Sequence, residues 1–241
     1  MKKNIAVITA RAGSKRIKNK NLLNFFGKPI IAYSILAAKK TNIFDEVYVS
    51  TDSKKIEKIS KKFGAKVPFL REKNLSDDLT GTHSVVSGFL KKIDLRNVEN
   101  ICCLYPTAPL MKHTDIIKGF KILKKNQKNY IFSGAQVEIN NFSYFSLNKK
   151  SFLENINHVN YKIKNKRSIL YTDAAQFYWA SKNTWLKNKE IISNKSKIIE
   201  IPFERVHDLN SPLDLKILRL KKDKLKKKIN DFWLKNCINI I

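Results

Sequence analysis

A chain of 241 residues that is 43% hydrophobic and 10% aromatic carries enough apolar material for a full core, which excludes the disordered class despite a formal net charge of +28. The lysines are spread along the whole chain and come with an excess of Asn and Ile, so the charge reads as a compositional bias and not as a nucleic-acid patch. The apolar run that opens the chain stops at Arg11, too short for a leader or a membrane span, and the expectation is a soluble cytoplasmic protein.

IAVIT (5–9) is a β-branched run and predicts a buried strand. It leads into TARAGSKRIKNKN (9–21), a basic loop with one glycine. KPIIAYSILAAKKTN follows, with Pro29 in the first turn and apolar residues at Ile31, Ile35 and Ala38, the spacing of a helix face. EVYVST (46–51) predicts a second strand; Asp52 and Ser53 stand where a cap belongs for a helix through Phe63, ended by Gly64. AKVPFL (65–70) predicts a further short strand, Thr82 to Ile93 a helix, ENICCLY (99–105) a strand and His113 to Lys125 a helix.

Cys102 and Cys103 are strand neighbours that point to opposite faces, and with Cys237 they read as small core residues in a reducing compartment. From about 140 to 167 the text is rich in Asn, Lys and aromatics without helical period, which predicts an excursion, a β-hairpin flap that returns at YTDAAQFYWAS (171–181). Alternation there puts Gln176, Tyr178 and Ala180 on one face and Phe177, Trp179 and Ser181 on the other. The last basic run, Leu218 to Asp231, keeps Leu218, Leu220, Leu225 and Ile229 apolar and predicts an amphipathic helix with a solvated face; no RNP or KH pattern accompanies it, so no nucleic-acid partner is expected. Alternating strands and helices predict an α/β fold, a mostly parallel sheet with helices on both faces, in one domain over 1–241.

The loop at 9–21 matches neither G-x-x-x-x-G-K-[ST] nor G-x-G-x-x-G. Open α/β sheets bind ligands beyond the carboxyl ends of their strands, where this loop sits, and Arg11, Lys15, Arg16, Lys18 and Lys20 suit an anion. On composition alone, a phosphate grip and a merely basic surface loop stand level. Asp77 and Asp78 precede the helix at Thr82, and at least one is expected to cap it.

ITARAGSKRIKNKNLLNFFGKPIIAYSI, VYVSTDS, FGAKVPFLREKNLSDDLTGT, CCLYPTAPLM, YTDAAQFYW and HDLNSPLDL come in an order that resembles the nonulosonic acid cytidylyltransferases, the family of the CMP-N-acetylneuraminate and CMP-KDO synthetases, over nearly the whole chain. FLR, SDDLTGT, CCLYPTAP and DAAQFYW are similar to the pseudaminic acid branch. The resemblance implies a Rossmann-like nucleotidyltransferase fold and transfer of CMP from CTP, with Mg²⁺, to the anomeric hydroxyl of a nonulosonic acid. It also implies a homodimer. Pseudaminic acid is the expected sugar; N-acetylneuraminic, legionaminic or 3-deoxy-manno-octulosonic acid, or a catalytically weak nucleotide binder, are the alternatives.

By the same resemblance Arg11, Ala12, Gly13, Ser14, Lys15, Lys20, Asn21, Arg71, Asp78, Thr80 and Thr82 are expected on the nucleotide, and Tyr105, Thr107, Tyr171, Gln176 and Phe177 on the sugar acid. Arg11, Lys20 and Asp208 are the expected catalytic residues. The family's Asp-x-Asp metal motif reads Asp208 and Asn210 here, which makes Asp208 the expected principal Mg²⁺ ligand and Asn210 a weaker or water-mediated one. Asp214 is expected to serve the helix that starts at Ser211-Pro212. His83 and His207 both fall near the expected site, and nothing in the sequence singles out either as a base.

Overall fold

The β-branched runs of the sequence become the centre of one six-stranded sheet. The computed structural model describes residues 2–125, 129–137, 144–147, 153–157, 170–187 and 190–237. Strand β1 (Lys3–Thr9) leads through a small hairpin, β2 (Asn24–Phe25) and β3 (Lys28–Pro29), into helix α1 (Ile30–Lys40), strand β4 (Glu46–Ser50) and helix α2 (Lys54–Lys62). Helix α3 (Thr82–Leu90), strand β5 (Val98–Leu104), helix α4 (His113–Lys125) and strand β6 (Ile131–Val137) follow. A separate antiparallel pair, β7 (Tyr144–Leu147) and β8 (Leu153–Asn157), lies within the segment read as an excursion, the rest of which is outside the described residues. The chain continues with β9 (Leu170–Ser181), α5 (Lys182–Lys187), β10 (Lys197–Glu200) and α6 (Pro212–Cys237).

The sheet order is β10-β6-β9-β5-β1-β4, with β9 antiparallel to both neighbours and the other pairs parallel. The α/β reading holds, as a mostly parallel mixed sheet. Because β9 runs against β5 and β6, its beginning lies at the edge where β1 and β5 end.

Alternation splits the core into two layers. Ala6, Ile8, Cys102, Leu104, Phe177 and Trp179 pack with Ile31 and Ile35 of α1, Ile56 of α2 and Ile116 of α4. Ile5, Val7, Ile101, Cys103, Tyr178 and Ala180 pack with Val86, Phe89 and Leu90 of α3 and Trp185 of α5. Cys102 and Cys103 are free and buried on opposite faces, and burial pushes the Cys103 thiol up to about 12, so it is not a nucleophile at neutral pH. A third cluster joins Leu218 of α6 to Ile17, Phe25, Ile30, Leu110 and Leu209, which ties the opening loop to the segment just before α6.

Three local expectations need correction. AKVPFL forms two isolated bridges, Tyr48 with Lys66 and Thr51 with Leu70, and not a strand, because Pro68 has no N–H to carry a ladder between them. Asp52 does not cap α2; Ser53 does, accepting from the Ile56 amide. On α6, Leu218 is buried but Leu220 is 69% exposed, so the apolar stripe is narrower than the pattern suggested. Gly64, at φ +85°, ends α2 in the left-handed turn that only glycine adopts without strain.

Candidate active site

The loop after β1 is folded back on itself and stapled at several points. The Ala12 amide donates to Asp52 Oδ1 at 2.7 Å, and Asn21 Nδ2 donates to the Arg11 carbonyl at 2.9 Å. Asn19 takes the left-handed conformation (φ 55°) that Asn tolerates, and turns the chain into a 3-10 turn over Lys20–Leu22. Lys20 Nζ then reaches the Leu209 carbonyl at 2.9 Å, and Arg16 Nη2 reaches Asn210 Oδ1 at 2.7 Å. The basic loop and the 208–210 segment are therefore held against each other.

Between them lies a cleft lined by Thr9, Arg11, Lys20, Asn21, Arg71, Leu75, Asp77, Asp78, Thr80, Thr82, Val85, Tyr105, Pro106, Thr107 and Asp208. It opens at the carboxyl edge of β1 and β5, where an open α/β sheet places its ligand. Three cations meet there. Burial lowers the Lys20 ammonium from its usual value, opposed by Asp208, and burial likewise lowers Arg71, opposed by Asp52. Arg71 is held by Ser76, which accepts from its Nε at 3.1 Å. Cations that have already lost water bind an anion more strongly, because the incoming charge meets a lower effective dielectric. Asp78 faces them, ion-paired to Arg11 and, at 2.9 Å, to Lys15.

Comparison with known proteins matches residues 5–231 to the family model described as Cytidylyltransferase. The chain belongs to the cytidylyltransferase family. It is 34% identical over 221 residues, 90% of its length and 95% of the other, to the pseudaminic acid cytidylyltransferase of Campylobacter jejuni subsp. jejuni serotype O:2. It is 38% identical over 129 residues, 53% of this chain and 56% of the other, to the CMP-N,N'-diacetyllegionaminic acid synthase of Legionella pneumophila subsp. pneumophila. Its fold is that of CMP:2-keto-3-deoxy-manno-octonic acid synthetase, solved in complex with CTP, at a TM-score of 0.69 and 15% identity, covering 92% of this chain and 99% of that one.

Within this cytidylyltransferase, Arg11, Lys20, Asn21, Arg71, Asp78, Thr80, Thr82, Tyr105, Thr107 and Asp208 come together in the cleft. Ala12, Gly13 and Ser14 form the outer turn of the loop, closed by the Ser14 amide on the Ala12 carbonyl at 2.8 Å, and Ala12 has no left-handed φ, so its methyl is accommodated. Lys15 stands outside with its side chain 84% exposed.

Other expected residues fall elsewhere. Phe177 is fully buried in the α4 layer beneath Gly119 and cannot touch a sugar, because alternation along β9 turns it into the core. Gln176, 2% exposed, donates from Nε2 to the Arg205 carbonyl at 2.8 Å. Tyr171 lies towards β10, its hydroxyl donating to Glu200 at 3.1 Å. Neither Asp77 nor Asp78 caps α3, whose N-cap is Gly81; Asp77 instead accepts from the Leu79 and Thr80 amides and shapes the turn.

Asn210, the expected weaker ligand, lies beside Asp208 but outside the lining of the cleft. Its carboxamide oxygen is spent on Arg16 and its nitrogen donates to Asp208 Oδ2 at 2.6 Å. Asp214 serves α6 as expected, accepting from the Asn210 and Ser211 amides; burial opposes these bonds, yet they hold its carboxyl down at about 2. His207 is turned to Asp214 and His83 stacks on Trp185, so neither ring lines the cleft.

Sequence reasoning missed Asp52 as the anchor of the loop and Asp173 near Asp208. An aspartate inside a strand otherwise rich in aromatics is against β propensity, and that was the available signal.

Proposed function

We propose that this cytidylyltransferase transfers CMP from CTP to the anomeric hydroxyl of pseudaminic acid and releases pyrophosphate. The reading is carried by the convergence of Arg11, Lys20 and Arg71 beside Asp208 in one cleft, in a chain alike along 90% of its length to a pseudaminic acid cytidylyltransferase. The anomeric oxygen attacks the α-phosphorus in line and forms a bond there, the hydroxyl proton passes to solvent, and the bond to the β-phosphate bridge oxygen breaks, the electron pair leaving with pyrophosphate. Arg11 and Lys20 neutralise the charge that grows on the leaving oxygens, and Lys15 meets the outer phosphate.

A Mg²⁺ fits this donor set: Asp208 puts a hard carboxylate in the cleft, and Mg²⁺ ordinarily takes one or two carboxylates and completes its shell with substrate phosphates and water. Bound there, it would supply positive charge to the α-phosphate. A cytoplasmic homodimer belongs to the same reading; two buried free cysteines suit a reducing compartment.

The test is pyrophosphate release from CTP and Mg²⁺ with pseudaminic, legionaminic, N-acetylneuraminic and 3-deoxy-manno-octulosonic acids in parallel, and ATP, GTP and UTP as nucleotide controls. Release that needs CTP and pseudaminic acid supports the reading; release with another sugar moves the specificity. Silence from protein that binds CTP makes it a nucleotide binder.

Asp78 gives a second test. It occupies Arg11 and Lys15 as a triphosphate would, so a nucleotide must displace it. Asp78→Asn is expected to tighten CTP binding about threefold to tenfold at low salt, with the gain shrinking as salt rises. Weaker binding in titration calorimetry would mean that the carboxylate touches the nucleotide instead.

A further inference from the structure

Three hydroxyls and one carboxylate form a line that ends in the wall of the cleft. Asp173 Oδ2 accepts from the Tyr178 hydroxyl at 2.6 Å, and Oδ1 accepts from the Ala175 amide at 2.9 Å. The Tyr178 hydroxyl also meets that of Tyr105, the two rings lying 5.2 Å apart. Tyr105 Oη is 2.6 Å from Thr82 Oγ1, and Tyr105 and Thr82 both line the cleft.

Asp173 and Tyr178 are five positions apart, an odd separation that puts two residues of a regular strand on opposite faces. Ala175 takes a left-handed φ of 49°, and the register of β9 on β6 shifts between Phe132 and Gly134. The Ser133 hydroxyl accepts from both the Gln176 and Phe177 amides there, at 3.1 and 3.2 Å. This bulge returns Asp173 to the side of Tyr178. A strained alanine is kept only where the surroundings over-determine it, and here its effect is to complete the line.

The line has a direction. Asp173 accepts from the Ala175 amide and from Tyr178, bonds that oppose the burial that raises its carboxyl, and Tyr178 spends its one hydroxyl proton on it. With that proton committed, Tyr178 has only lone pairs for Tyr105, and the same order carried on makes Tyr105 the acceptor from Thr82, a contact in which either oxygen can donate. Thr82 is left with lone pairs for the cleft, and bonds in such a chain polarise one another. We infer that Asp173 is a positioning residue that fixes this direction, so that the cleft wall at Thr82 accepts a hydrogen bond from a hydroxyl or amino group of a substrate and does not donate to a phosphate oxygen. The inference rests on the proposed nucleotide and sugar-acid reading of the cleft; the donor belongs to the nucleoside or to the sugar acid.

The experiment is titration calorimetry of the wild type, Asp173→Asn and Tyr178→Phe. The ligands are CTP, its 2′- and 3′-deoxy analogues, UTP, pseudaminic acid and inorganic triphosphate, which carries no such donor. A carboxamide can donate to Tyr178 and reverse the line, whereas Phe cuts it. Both variants are expected to weaken one ligand about tenfold: CTP, with loss of discrimination against the analogue that lacks the donor, or else the sugar acid alone. Tyr178→Phe should bind inorganic triphosphate within about twofold of the wild type, since the Arg11 grip is untouched. Unchanged binding of every ligand in Asp173→Asn overturns the inference, as does parallel weakening of inorganic triphosphate, which marks a merely structural role. A wild type that binds triphosphate but neither CTP nor the sugar acid retracts the functional reading and this inference with it. A wild type that binds CTP without turnover retracts only the catalysis.

Discussion

Arg11→Ala is expected to lower kcat/KM for pyrophosphate release by about a hundredfold to a thousandfold, the usual loss when one preorganised donor to a developing charge is removed. The side chain is one-third exposed and ion-pairs Asp78, itself exposed to a similar degree, so it holds little of the core together. Its backbone is fixed independently, by Asn21 on its carbonyl. Thermal stability should therefore change by no more than about 0.5 kcal/mol, as for ordinary surface substitutions. Arg11→Lys keeps the charge but loses the planar fork, and should recover part of the rate. Steady-state kinetics beside scanning calorimetry checks both. If turnover survives and stability falls, the phosphate assignment is wrong.

The largest stability effect is expected from the buried pair of Arg205 and Asp115, 2.5 Å apart and 5% and 4% exposed. Arg205→Met leaves the Asp115 carboxylate without its cation and should cost about 3–5 kcal/mol. At about 2–4 °C per kcal/mol for a chain of this size, the midpoint falls by roughly 10 °C. Adding Asp115→Leu removes the stranded charge and should restore most of the loss, as replacing both members of a buried pair commonly does. Scanning calorimetry of the single and double variants decides it; a single variant within about 1 kcal/mol of the wild type would mean that water already solvates the pair. Arg205 also receives Gln176 on its carbonyl and lies three residues before Asp208, so activity should drop with stability in the single variant.

Much of the site was legible because one short segment carries it. Arg11, Lys20 and Asn21 lie within eleven positions of each other, after a strand whose β-branched run is unmistakable, and the Arg11 to Asn21 staple is local. Helix α4 begins and ends where the sequence placed it, at His113 and Lys125, since a charged start and apolar period 3.6 leave little choice. The sugar side was less legible. Gln176 and Phe177 were drawn to the site by their neighbours in the chain, but alternation and the Arg205 carbonyl take both away from it.

The amino-acid sequence by itself determined the α/β class, the two-faced core of Cys102 and Cys103, and the position of a cationic loop at a strand end, because each follows from local periodicity and from charges a few residues apart. Only the tertiary structure decided that β9 runs antiparallel, which brings Asp173 to the edge occupied by Thr82 and Tyr105. It alone showed that Asn210 links Arg16 to Asp208. Those outcomes depend on pairings across tens to nearly two hundred residues and on one bulge at Ala175 that reverses which face a side chain takes, and no local pattern encodes either.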